Sequence, residues 1–302
     1  MSDDNRNQCR SAEDTIDIPS PQAGPTANPV RDGAYEIKFL LDHAVADEIL
    51  KIVRAKMQPD PNADPRLYDR YQINSLYFDN DQLDVFRRMG GFRKRKFRLR
   101  RYGLASSLFV ERKAKTRGIV RKRRTMIPES ELPRILETAP DVTWDGFWFY
   151  RRLVRRGLRP KVHIAYERIA RVCMASDGPI RLTVDRKLIC RPESSTHFPV
   201  LEQGAPLFTD KSILELKFKT VLPPLFNTIV REFGLTPVSV SKYRTAIVAC
   251  GLHVGMFGGA EVSAKLENAA AGAGAPSMGT RGSGLGTGDT IPEHRDANLR
   301  SA

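Results

Sequence analysis

The chain has 302 residues, 41% of them apolar, and a formal net charge of +14. That length and apolar content exclude a wholly disordered protein, and the charge selects an anionic partner: nucleic acid, an acidic membrane surface, or a phosphorylated molecule or polymer. Cys9, Cys173, Cys190 and Cys250 form no C-x-x-C pair and have no histidine at zinc-ligand spacing, so neither a zinc site nor a disulfide framework is indicated. The polar N-terminus and the absence of any apolar run of about eighteen residues indicate a cytoplasmic chain with no membrane segment.

Residues 1–33 are rich in Asp, Asn, Ser and Pro without an apolar period and read as a disordered tail. The segment 34–256 contains no comparable linker and reads as one domain. It opens on "AYEIKFLL" (34–41), which alternates in the period of a half-buried strand, followed by a helical pattern over 42–57 with Asp42 as its N-cap. Further alternating segments follow at 73–79, 96–103, 108–115 and 121–127. An aromatic and basic stretch, "WDGFWFYRRLVRRG" (144–157), predicts a second helix. Strands are predicted again at 162–173, 180–190 and 212–220, then helices at 223–234 and 241–251, closed by Gly234 and Gly251. Residues 257–302, dominated by Gly, Ala and Ser, read as a second tail. Eight strands in hairpin-like succession with flanking helices predict an α+β fold built on a closed eight-stranded antiparallel β-barrel.

From Arg87 to Arg101 nine of fifteen residues are Lys or Arg and none is acidic. Alternate residues of a strand share a face, so Lys96, Arg98 and Arg100 lie opposite Phe97, Leu99 and Arg101. Glu36 and Lys38, Glu111 and Lys113, Arg181 and Thr183, and Glu215, Lys217 and Lys219 are opposed to apolar residues in the same way. One strand with a polar face turns it to solvent by default. Several such faces, poor in Ser, Thr, Asn and Gln and with each acid two positions from a lysine, fit one shared polar interior instead, with the apolar faces packed outward against helices. Like charges about 6 Å apart repel by roughly 3 kcal/mol at an effective dielectric of about 20, so an interior rich in cations predicts a multiply charged anionic ligand.

The ordered motifs "YEIKF", "SLYFDN" (75–80), "KFRLRRYG" (96–103), "FVERK" (109–113), "YERIA" (166–170), "RLTVD" (181–185), "ILELKF" (213–218) and "SVSKYR" (239–244) resemble the VTC domain. That domain is the polyphosphate polymerase of the vacuolar transporter chaperone complex, in the triphosphate tunnel metalloenzyme (CYTH-like) superfamily. The resemblance implies a tunnel whose inward Arg and Lys grip a triphosphate, and transfer of the ATP γ-phosphoryl group to a growing polyphosphate chain with Mn²⁺ or Mg²⁺. Carried over motif by motif, Lys38, Arg98 and Arg100 would act at the transferred group. Lys113, Arg168, Arg181, Lys217 and Lys242 would bind phosphate, Glu215 would bind metal, and Glu36 and Glu111 would be supporting acids. Other tunnel enzymes open with E-x-E-x-K. Here Glu36 is followed by Lys38, as in the polymerase branch, whereas Ser239 stands where that branch has a second basic residue.

The remaining features have plainer readings. "RKRRT" (121–125) is read as a solvated face or a mouth that steers polyanions, and the arginines of 151–156 as a surface helix face. The histidines are read as structural, and Asp79 as a residue that shapes a turn. Beside the polymerase stand a triphosphatase or nucleotidyl cyclase using the same tunnel, and a module that binds polyphosphate or triphosphate without turnover. Nucleic acid ranks last, because the basic strands carry no aromatic stacking platform.

Overall fold

The structure is a computed structural model; it describes residues 33–63, 67, 69–117, 119–137 and 141–254. All of them belong to one compact unit, residues 1–259. The two tails predicted from composition lie outside the described residues, apart from Gly33.

The strands are β1 (Ala34–Asp42), β2 (Gln58–Pro59), β3 (Arg70–Asp79), β4 (Arg95–Tyr102), β5 (Ser107–Thr116), β6 (Ile119–Pro128), β7 (Arg159–Ala175), β8 (Gly178–Pro192), β9 (Ala205–Leu207) and β10 (Lys211–Phe218). The helices are α1 (His43–Arg54), α2 (Asp84–Arg87), α3 (Phe147–Arg155), α4 (Pro224–Glu232) and α5 (Lys242–Ala249). The strands form one antiparallel sheet in the order β2-β7-β3-β4-β5-β6-β1-β10-β8-β9, and a further β7–β8 pairing closes eight of them into a ring. The short β2 and β9 pair onto the outside of that circuit and had no periodic signal in the sequence. Most predicted strands end within three residues of the observed ones. The alternation that marked them comes from a ring that is polar on one face and apolar on the other.

The apolar faces do turn outward. Phe39, Leu182, Val184, Leu214 and Leu216 pack with Ile49, Leu50 and Val53 of α1 and with Phe226 and Ile229 of α4 in a buried cluster. Full burial of each such side chain contributes about 1.5–3 kcal/mol. On the opposite flank Phe149 of α3 meets Phe78 edge-on and Phe97 at a tilt, at centroid distances of 5.7 and 6.5 Å. Asp42 precedes α1 as expected, but its carboxylate accepts from Lys211 Nζ at 2.6 Å instead of capping the helix. Ser241 does cap α5, accepting from the Arg244 amide at 3.3 Å.

The long β7–β8 hairpin turns at Gly178, whose φ of +122° no L side chain adopts comfortably. Asp79 shapes the turn after β3 as its sequence suggested. It accepts from the amides of Asn80, Val85 and Phe86 and from the Tyr243 hydroxyl, which ties α2 and α5 to the sheet. His163 also fits its structural reading: Nε2 lies 3.2 Å from Asn74 Oδ1, and burial lowers its pKa to about 4, keeping it neutral. Cys190 and Cys250, far apart in sequence, place their thiols 3.4 Å from each other.

Candidate functional site

Strand register brings the charged residues together. In an antiparallel pair, directly opposed residues project to the same side. Glu36 opposes Lys217, which opposes Arg181, while Lys38 opposes Glu215, which opposes Thr183. On the other half of the ring Tyr77 opposes Arg98, which opposes Glu111, which opposes Arg124. Lys96 opposes Lys113 and Lys113 opposes Lys122. Two inward rows therefore face each other, and their side chains meet across the interior: Lys113 on β5 donates to Glu36 Oε2 on β1 at 2.6 Å.

Every residue proposed from the sequence lies in this network. Lys38 Nζ stands 3.3 Å from Glu36 Oε1 and 3.1 Å from Glu215 Oε2, and Lys217 Nζ stands 3.0 Å from Glu215 Oε1. Arg98 donates from Nε to Glu111 at 2.7 Å and from Nη1 to the Tyr77 hydroxyl at 3.1 Å. Arg100 donates to Ser75 Oγ at 3.2 Å and to the Tyr166 hydroxyl at 2.9 Å. Arg181 pairs with Asp60 at 2.8 Å and donates to the Tyr71 hydroxyl at 3.0 Å. Arg168 forks both oxygens of Asp185 at 2.6 and 2.8 Å, and Lys242, at the start of α5, adds a third bond to Asp185 at 2.6 Å.

The acids are thus distributed differently from the simple two-residue spacing in the sequence. Glu111 holds Arg98 and not Lys113, and Lys113 turns to Glu36 on another strand. Asp185 is the inward acid that the motif reading passed over, although it shares a face with Arg181 and Thr183. Lys96 is not among the sequence-derived site residues, although it stands two residues before Arg98 on the same face; it donates to Ser241 Oγ at 2.9 Å. The run "RKRRT" divides by face. Lys122 and Arg124 share the inward face of Lys113 and Glu111 while Arg123 lies outside over Trp148, and Arg121, Lys122, Arg123 and Arg124 are all exposed, in keeping with a solvated face or a mouth.

Proximity fixes the protonation states. Burial and Glu215 push the Glu36 pKa up, but Lys113, Lys38 and Lys217 outweigh them and hold it at about 2. Burial raises Glu215 too, yet Lys217, Lys38 and Lys113 keep it well below the usual carboxylate range. Lys38 is opposed by burial and raised above its ordinary value by Glu215 and Glu36, so it is charged at neutral pH. Lys96 has the reverse balance: burial, then Lys38, Lys113 and Arg98, lower it well below normal. Lys96 therefore gives up its proton far more readily than a free lysine, and an anion beside it would favour the charged form.

A cavity of about 480 Å³ runs from Lys38, Lys96 and Lys113 inside the ring to exposed Arg88, Lys94 and Lys115 at one rim, with Ser239 and Arg244 also on its wall. This volume lies in the range of small-molecule sites, and its lining is rich in cations. Burial lowers Lys113 to about 8; Glu36 and Glu215 oppose the shift, while Lys217 and Lys38 assist it. A lysine so depressed binds fewer protons folded than unfolded between about pH 8 and its ordinary value near 10.5, so the cost of burying its charge is relieved as pH rises through that window. An anion at Lys113 reverses the depression. Binding of tripolyphosphate at pH 8 is expected to take up protons, measured by calorimetry in two buffers of different ionisation enthalpy, and Lys113→Arg is expected to reduce that uptake, the remainder going to Lys96 and Lys122. Identical heats in both buffers would mean that no anion reaches Lys113.

Glu36 and Glu215 are the residues that could hold a metal. Their oxygens share one ammonium, that of Lys38, and Glu215 raises the Glu36 pKa through like-charge repulsion. Two hard oxygen donors so close fit Mg²⁺ or Mn²⁺, which take one or two carboxylates and complete their shells with phosphate oxygens and water. Among the described residues no group of three or more His, Cys, Asp or Glu gathers to hold a metal unaided. No helix among them is long and apolar enough to cross a membrane.

The chain is similar in shape to several solved structures. One is a putative adenylate cyclase from Bacillus halodurans, with 13% identity over 68% of this chain and 92% of that one and a TM-score of 0.45. Another is a putative adenylyl cyclase from Hippeastrum, described as having a dominant triphosphatase activity, with 14% identity over 72% and 96% and a TM-score of 0.42. A protein from Pyrococcus horikoshii has 14% identity over 70% and 94% and a TM-score of 0.39. No curated protein matches. The VTC domain model matches residues 33–250, which span every described strand and helix of the ring and its flanks, and the chain belongs to the VTC domain family.

Proposed function

We propose that this chain is a polyphosphate polymerase that moves the γ-phosphoryl group of ATP onto the end of a phosphate chain held inside the strand ring. The observation that carries the proposal is the convergence of Lys38, Arg98, Arg100, Lys113 and Lys217 from four strands on one interior, two of them as guanidinium forks. Phosphoryl transfer passes through a loose transition state and needs no protein nucleophile, so positioning and charge neutralisation supply most of the rate. Arg98 and Arg100 each can engage two phosphate oxygens, and the tyrosines and acids that already orient them keep the forks aimed inward. Lys38, charged and held between two carboxylates, would meet the transferred group. Lys113, Lys217 and Arg181 would hold the remaining phosphates.

Arg168 and Lys242 serve a different part of the same architecture. Both bond Asp185, and Lys242 lies 4.8 Å from the Tyr166 ring centre, so α5 is pinned against the interior and these two cations reach phosphate only by sharing it with Asp185. Glu215 with Glu36 would hold Mn²⁺ or Mg²⁺, which when bound supplies further neutralisation of phosphate charge.

Incubation of the purified chain with ATP and Mn²⁺ is expected to yield long-chain polyphosphate, visible as a ladder on a gel and degraded by an exopolyphosphatase. Orthophosphate or a cyclic nucleotide as the only product would replace this proposal with a hydrolase or cyclase. Tight binding of ATP without consumption would leave a binding module.

A further inference from the structure

Helix α5 is seated against the inner side of the sheet. Lys242, in its first turn, bonds Asp185 of β8, and Tyr243 stacks on Tyr77 of β3 at a centroid distance of 5.2 Å while its hydroxyl bonds Asp79. These anchors all lie at the N-terminal end of the helix. The C-terminal end, at Cys250, meets Cys190 of β8, and the two sulfur atoms stand 3.4 Å apart. Neither is in a disulfide, and the proposed reaction uses neither. Cys190 opposes Ile164, Ile164 opposes Ser75, and Ser75 opposes the inward Arg100, so the Cys190 side chain projects to the side on which α5 sits.

The two thiols differ in freedom. Cys190 is fully buried and its strand is paired on both edges, by Ile164 of β7 and Ala205 of β9. Gly204 passes so close that a Cβ there would stand 2.5 Å from the Cys190 carbonyl oxygen. Cys250 is half-buried, follows the last residue of α5, and precedes Gly251, whose φ of +67° turns the chain out of the helix. Helix ends open more readily than strands paired on both edges, so Cys250 is the sulfur that a reagent reaches and the one that moves. The contact between the thiols lowers the Cys250 pKa and, with burial, raises that of Cys190, which favours the thiolate at the accessible sulfur.

We infer that Cys190 and Cys250 are a reversible oxidation site, at which a peroxide closes a disulfide that latches α5 to β8. A disulfide needs its sulfurs about 2.05 Å apart, so from 3.4 Å a movement of about 1.4 Å at the helix end is enough. The Cys250 thiolate attacks one oxygen of hydrogen peroxide; the O–O bond breaks, the departing hydroxide leaves as water with the thiol's proton, and Cys250 becomes a sulfenic acid. The Cys190 sulfur then attacks the Cys250 sulfur, the S–O bond breaks, and the second hydroxide leaves as water with the Cys190 proton. Two thiols thus give two electrons to one peroxide and yield one disulfide and two waters. A dithiol returns the pair to thiols by exchange. The link joins positions 60 apart in sequence, so it restricts the unfolded chain as well as the helix end.

Treatment of the reduced full chain with hydrogen peroxide is expected to give a Cys190–Cys250 linked peptide in a digest and to raise Tm by about 5–10 °C, and dithiothreitol should reverse both. Amide exchange in α5 should slow at least about tenfold in the oxidised chain. Cys250→Ser should abolish the link and both shifts, whereas a chain carrying Cys9→Ser and Cys173→Ser should keep them. In Cys190→Ala, dimedone should trap a sulfenic acid at Cys250; if that variant fails to fold, Cys250→Ser must leave Cys190 as a thiol under the same treatment. A link from either sulfur to Cys9 or Cys173, sulfinic acid at Cys250 in place of the link, or a linked chain with unchanged Tm and unchanged α5 exchange would overturn the inference.

Discussion

Glu111→Gln is expected to lower the unfolding free energy by about 3–5 kcal/mol, among the largest effects of any single substitution inside the ring. Glu111 is 1% exposed, accepts from Arg98 Nε at 2.7 Å and Nη2 at 2.6 Å, and has Lys122 Nζ at 3.8 Å. Burial alone would raise its pKa, but Arg98, Arg100 and Lys122 reverse this and hold it well below the usual carboxylate range. The amide keeps the shape and removes the charge, leaving Arg98 as an uncompensated buried cation. For a domain of about 220 residues each kcal/mol corresponds to about 2–4 °C, so Tm should fall by about 10 °C. Because the folded pKa is depressed, the contribution of Glu111 is fully present above its unfolded value near 4.5 and is lost as pH falls toward its folded value. Wild type and variant should therefore converge in denaturant titrations as the pH is lowered from 7 to 3. Arg98→Met combined with Glu111→Leu should recover much of the loss, whereas a single-variant cost below about 1 kcal/mol would contradict a buried pair.

Lys38→Met should reduce kcat by about 10²–10³ fold, the scale for removing one preorganised stabiliser of developing charge. Its second effect is less obvious. In the wild type the Lys38 ammonium stands between Glu36 and Glu215, and without it the two carboxylates face each other with less neutralisation. The pair should then bind Mn²⁺ more tightly in the absence of nucleotide, so the variant should gain thermal stability from Mn²⁺ that the wild type does not. A variant that turns over at the wild-type rate would remove Lys38 from the reaction, and one insensitive to Mn²⁺ would remove Glu36 and Glu215 from metal binding.

The strands were legible because a ring that is polar within and apolar without imposes strict alternation on every strand, and hydrophobic residues mark the outer face. Register was not legible. Lys113 and Glu36 are seventy-seven positions apart and bond across the interior, while the neighbouring acid Glu111 binds Arg98. A spacing of two says that residues share a face; it does not say which partner each chooses. Lys96 and Asp185 could have been found by extending that rule one step along "KFRLR" and "RLTVD". "RKRRT" was harder to read, since five polar residues in succession mask the two faces until Arg123 is found over Trp148 and Lys122 beside Glu111.

The central claim is that these inward cations receive a chain of phosphates, and the most direct measurement is a crystal structure of the full chain with tripolyphosphate. Phosphate density is expected inside the ring within hydrogen-bond reach of Lys38, Arg98, Arg100 and Lys113, with Lys113 drawn away from Glu36. Tripolyphosphate confined to the outer surface, with the interior ion pairs unchanged, would contradict it.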